Sequence, residues 1–116
     1  MNLRTSAIAL LCLATPALAA AGDAPGLRQF ALASCLARAF EGSPAGEDAR
    51  RAAGAILELG GAPFEAYEAA DQLALQALAS LPAAKAGPPI ATLACLVLQD
   101  SAALRALEAP YRPRPE

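Results

Sequence analysis

The chain has 116 residues, eleven acidic against nine basic side chains for a net charge of −2, and neither histidine nor tryptophan. No run of basic residues interrupts this slightly acidic balance, which argues against nucleic acid and anionic membrane surfaces, since both select for a basic patch. Without histidine the commonest general base near neutral pH is gone, and with it the commonest metal ligand.

The beginning of the chain has the layout of a secretory signal. Arg4 supplies the positive charge, residues 7–14 are an apolar run, and Pro16 precedes Ala17-Leu18-Ala19, which fits the small-residue cleavage pattern. Residues 1–19 are therefore expected to leave as a signal peptide, with Ala21 as a second candidate cleavage point. An uncleaved anchor fits less well, because the run is short of the roughly 20 apolar residues a membrane span needs. A lipid-bearing Cys12 fits less well still, because bulky Leu11 stands where a small residue is expected. The mature chain keeps about 97 residues, its net charge falls to about −3 with the loss of Arg4, and it is expected to leave the membrane. That length suits one domain with a modest core.

Residues 20–26 read as a flexible, Gly- and Pro-containing leader. Alanine, leucine, glutamate and arginine dominate the remainder of the chain and β-branched residues are scarce, so the class is all-α, a small bundle of four to five helices. The first helix is expected over 27–40, where Leu32, Cys35, Leu36 and Ala39 make a buried stripe and Arg28, Gln29 and Arg38 fall outside it. Ser43 can cap a second helix over 44–59, with Pro44 at its first position and Glu47 and Asp48 in its first turn. Ala52, Ala55, Ile56 and Leu59 form its expected apolar face, interrupted by Gly54. Gly60 and Gly61 end it.

Pro63 opens a third helix over 64–81. Tyr67, Ala70, Ala74, Leu78 and Leu81 share its apolar side. Glu65, Glu68, Gln72 and Gln76 line the opposite side, with Asp71 at the edge. The bland reading of that line is a solvated surface, and the sharper one is a contact face for a partner. After a stiff Pro- and Gly-containing connector comes IATLACLVL, residues 90–98, apolar on every side but for Thr92. A helix without a polar face must be surrounded, so this one is expected at the centre of the bundle. Asp100 or Ser101 can cap a short last helix over 102–109, with Leu104 and Leu107 turned inward. The prolines of PYRPRPE cannot continue it.

The chemistry open to these residues is narrow. Two cysteines, Cys35 and Cys95, remain in the mature exported chain, and they read as one structural disulfide rather than as a nucleophile and a spare. Two cysteines distant in sequence, with no histidine beside them, do not make a zinc ligand set, Glu65, Glu68 and Asp71 lack the loop of a calcium site, and no glycine-rich phosphate loop is present. No catalytic residue, metal or cofactor is expected, and the plausible work of the domain is binding.

ASCLARAF at 33–40 and CLVLQDSAALRALEAPYRP at 95–113 resemble the immunity proteins of type VI secretion amidases. The shared features are Cys35, Ala37, Arg38 and Phe40, then Cys95, Leu96, Ser101, Leu104, Leu107, Tyr111 and Pro113. The two ends of the mature chain carry the likeness, while 44–89 is richer in alanine and less polar. The resemblance implies a periplasmic, non-enzymatic inhibitor, a domain over 27–113 that blocks the cleft of a cognate Cys–His peptidoglycan amidase and pairs as a homodimer. Glu65, Glu68, Gln72 and Gln76 are the expected effector-binding residues. The rival from another class is a periplasmic acid-stress chaperone that releases apolar surface as its carboxylates lose their charge. A lipid-binding module and an enzyme rank behind both.

Overall fold

A computed structural model of the chain describes residues 26–81 and 85–112. Residues 1–19, expected as a signal peptide, residues 20–25 of the expected leader and residues 113–116 of the tail lie outside the described residues. Five α-helices succeed one another, α1 (Leu27–Ala39), α2 (Pro44–Leu59), α3 (Phe64–Ala79), α4 (Ala91–Gln99) and α5 (Ala102–Glu108), with a 3-10 turn over Ala109–Tyr111. No strand occurs among the described residues.

The helix ends sit where the capping residues place them. The Ser43 hydroxyl accepts a hydrogen bond from the Gly46 amide at 3.1 Å and donates one to the Phe40 carbonyl at 2.6 Å. Pro44 occupies the first turn of α2. Of the two candidate caps for α5, Ser101 is the one used, accepting from the Leu104 amide at 3.2 Å. A capped end satisfies amides that a helix cannot pair internally, at a gain of about 1 kcal/mol.

The centre of the bundle is α1, against which α2, α3, α4 and α5 all pack. Its buried positions include Leu27, Ala31, Ala33, Ser34 and Cys35, with Leu32, Leu36 and Ala39 half-buried. Small side chains on several sides of one helix let neighbours approach from several directions. The Cys35–Cys95 disulfide joins α1 to α4 across 60 residues, with 5.6 Å between the Cα atoms. Phe30 of α1 meets Tyr67 of α3 edge to face, with ring centroids 5.1 Å apart, an arrangement favoured by the ring quadrupoles. Leu27, Ala66, Ala70, Ala74, Leu98 and Leu104 complete the core.

Two expectations are corrected. The apolar segment 90–98 is not the central helix. Within α4 only Cys95 and Leu98 are buried, while Leu93, Leu96 and Val97 are about half exposed or more. A uniformly apolar sequence does not itself supply elements to cover each side. The face of α2 is also displaced, because Ala52, Ala55 and Leu59 are exposed, and Gly46 and Ala53 face α1 with Ile56 half-buried. Glycine is what brings this helix close. A Cβ at position 46 would overlap the Phe40 carbonyl, lying 2.6 Å from its carbon and 3.2 Å from the Glu41 amide nitrogen. Gly46→Ala must therefore push α2 off the turn that Ser43 caps, and is expected to destabilise the domain by about 2 kcal/mol. The urea midpoint checks this, and an unchanged midpoint would mean that α2 slides freely on α1.

Candidate functional site

The outward side of α3 is built by what its inward side requires. Ala66, Tyr67, Ala70 and Ala74 are buried against α1, with Leu78 half-buried behind them. A helix turning 100° per residue then directs Glu65, Glu68, Gln72 and Gln76 away from the bundle, and all four are exposed. The structure thus brings the four predicted residues onto one face, spread over three turns.

Asp71, expected at the edge of that face, does something else. Its Oδ2 receives the Arg38 Nη2 at 2.6 Å and its Oδ1 the Arg38 Nε at 3.1 Å, a bidentate pair. The buried Ser34 hydroxyl donates to the same Oδ1. The Arg38 guanidinium holds the Asp71 carboxyl below the ordinary aspartate range, with help from Ser34 and against a smaller opposing effect of partial burial. Asp71 belongs to the α1–α3 joint and fixes how the outward face is presented.

Its pH dependence has a definite sign. A carboxyl depressed on folding contributes fully above its unfolded pKa of about 3.9, and that contribution is lost as pH falls through the lower folded value. Asp71→Asn is expected to cost about 1 kcal/mol at pH 6, as a partly exposed ion pair beside a buried hydroxyl should. The gap between the two proteins should narrow in acid below about pH 3.5. Urea unfolding at both pH values tests this, and a gap that widened in acid would contradict it.

Two residues of the face are absent from the expected set. Phe64 is 61% exposed and Leu75 38%, and eleven residues of helix place them along one edge of the same face, with Glu65 and Gln76 along the other. Glu68 and Gln72 lie between. In the sequence Phe64 marks the start of α3 and nothing more. A signal does exist, since it falls off the stripe of Tyr67, Ala70 and Ala74. Exposed aromatic side chains beside polar groups are enriched at protein interfaces.

A second surface lies across α4. Residues 85–90 before it are all exposed, with Gly87 at φ +82 followed by Pro88 and Pro89. Ile90, Leu93, Leu96 and Val97 extend it as an apolar strip without a charge between Ala86 and Gln99. Leu73 and Ala77 of α3 with Leu93, Val97 and Leu98 of α4 line a shallow groove of about 420 Å³.

Cys35 and Cys95 are bonded to each other and fully buried, so neither offers a thiolate. No group of three or more metal-ligating side chains occurs among the described residues, and no described helix is long and apolar enough to cross a membrane. No curated protein matches the chain. The model of one protein family, Tai4, described as type VI secretion system (T6SS) amidase immunity protein, matches residues 26–108.

Proposed function

The chain belongs to the Tai4 family of type VI secretion system amidase immunity proteins, and from that membership we propose that it binds a cognate peptidoglycan amidase and blocks its active-site cleft. The observation that carries this reading is the family match itself, which spans all five helices. The exposed side of α3 supports it, as a rigid convex face suited to a cleft. Glu65 and Glu68 would meet positive groups at the rim or the catalytic histidine of a Cys–His enzyme. Gln72 and Gln76 would contribute neutral hydrogen bonds, and Phe64 an aromatic anchor. The inhibitor acts by occupancy and needs no catalytic group.

The periplasm is the compartment this reading requires. Export suits the signal-like sequence before Ala19, and an oxidising compartment suits the disulfide. The experiment is a titration of the mature protein into a muropeptide-cleavage assay of the amidase, in which activity should fall to zero near one equivalent.

The apolar strip of α4 favours a homodimer, since a second copy would remove Leu93, Leu96 and Val97 from water. Leu93→Glu with Val97→Glu is expected to shift the sedimentation coefficient from dimer to monomer without loss of helicity, because both side chains already face outward. Sedimentation of the unaltered protein as a monomer at tens of micromolar would refute the pairing.

A further inference from the structure

The nine residues of α4 are fewer than the roughly 12–15 that an isolated helix needs to persist in water, so docking keeps it helical. Its non-covalent anchors crowd its C-terminal end. Leu98 is buried there, the Arg28 Nε donates to the Gln99 carbonyl at 2.9 Å, and the Arg28 Nη2 meets Asp100 at 2.6 Å. Over 91–95 the one buried side chain is Cys95. The N-terminal half of α4 is therefore held chiefly by the bond to Cys35. By contrast, α1, α2 and α3 are joined by contacts that owe nothing to sulfur, including the Phe30–Tyr67 pair, the Arg38–Asp71 bridge and the close seat of Gly46.

We propose that the Cys35–Cys95 bond is an oxidative latch, which docks α4 onto a subdomain of α1, α2 and α3 that is already folded in the reduced chain. Closure is a thiol–disulfide exchange with an exchange-active disulfide as oxidant. One cysteine thiolate attacks that disulfide to give a mixed disulfide, and the second displaces the oxidant's remaining sulfur. Two electrons and two protons pass to the oxidant, which leaves as its dithiol. Once closed, both sulfurs are fully buried. An external thiol must reach a sulfur in line with the bond, so reduction waits for α4 to open. The latch closes readily in the undocked chain and reopens slowly. For an exported inhibitor, a function that rests on the family reading, the completed surface would then form only where an oxidant is supplied. The latch itself does not depend on that function.

Two measurements on the mature protein test it. In Cys35→Ala/Cys95→Ala, Cα chemical shifts should be random-coil over 91–99 and helical over 27–39 and 64–79. Helical shifts retained in α4 would overturn the proposal, and so would random-coil shifts throughout. In the unaltered protein, the rate of reduction by dithiothreitol should level off as the reductant is raised, at least about 100-fold below that of an unstructured peptide disulfide. A rate that rises linearly to peptide-like values would show an accessible bond and overturn the one-way character. Neither readout involves an amidase, so failure of the latch and failure of the immunity reading are separate results.

Discussion

Reversing the charges of Glu65 and Glu68 together to lysine is expected to weaken inhibition of the cognate amidase by roughly 100-fold, about 3 kcal/mol of binding. The size reflects the replacement of two attractive contacts by two repulsive ones on a face that a cleft would desolvate. Both side chains are exposed, so the fold should tolerate the change. Glu65 stands in the first turn of α3, where a lysine opposes the helix dipole at a cost of about 0.5–1 kcal/mol. Asp48→Lys with Glu58→Lys on exposed α2 is the control for net charge. It should slow association slightly and leave the complex tight. Equal inhibition by both double variants would remove the α3 face from the mechanism while leaving family membership intact. Phe64→Ala discriminates further, because an aromatic anchor lost from a polar-rimmed face weakens binding without any change of charge.

Loss of the disulfide is the largest stability effect expected. The bond closes a loop of 60 residues, for which the chain-entropy relation gives roughly 4 kcal/mol. Small domains of this kind are stable by only about 5–15 kcal/mol in total. Cys35→Ala/Cys95→Ala should therefore lower the thermal midpoint by roughly 15–30 °C, at about 4–8 °C per kcal/mol for a domain of this length. Alanine leaves no unpaired polar group in the core, so the change reports the link itself. The figure is an upper one, because a variant that releases α4 relaxes part of the constraint. A fall of less than about 5 °C would mean that non-covalent packing already holds α1 and α4 together.

Much of the fold is legible in local chemistry. Ser43 before Pro44, the Gly60-Gly61 pair and Ser101 each mark a helix end by satisfying or breaking backbone hydrogen bonds. Such signals act within a few residues and do not depend on the rest of the chain. The pairing of Cys35 with Cys95 is legible for another reason, since two cysteines in a chain expected to be exported are each other's natural partner. What sequence does not convey is which surfaces meet. Among the described helices α4 is the most apolar, yet the central helix is α1, whose Ala31, Ala33 and Ser34 are small rather than greasy. In an alanine-rich bundle, close approach decides which helix lies in the middle, and hydropathy does not measure close approach. The same holds for α2, where hydropathy points to Ala52, Ala55 and Leu59, and the packing site is Gly46. On α3 the polar line from Glu65 to Gln76 is set by the 3.6-residue repeat, whereas Phe64 and Leu75 are hidden by the habit of assigning apolar residues to the core. Asp71 looks like one more surface carboxylate. Only the position of Arg38 across the helix joint shows its structural part.

Capture and silencing of a peptidoglycan amidase by this domain can be tested in one experiment. Mature, oxidised protein immobilised on a resin, exposed to lysate of its source organism and washed with salt, should retain a small Cys–His amidase in stoichiometric amount. Muropeptide cleavage by that enzyme should cease when one equivalent of the protein is added back. Retention of many unrelated proteins, rising as pH falls, would favour an acid-stress chaperone over an amidase inhibitor, and a retained amidase whose activity the protein leaves unchanged would rule out inhibition.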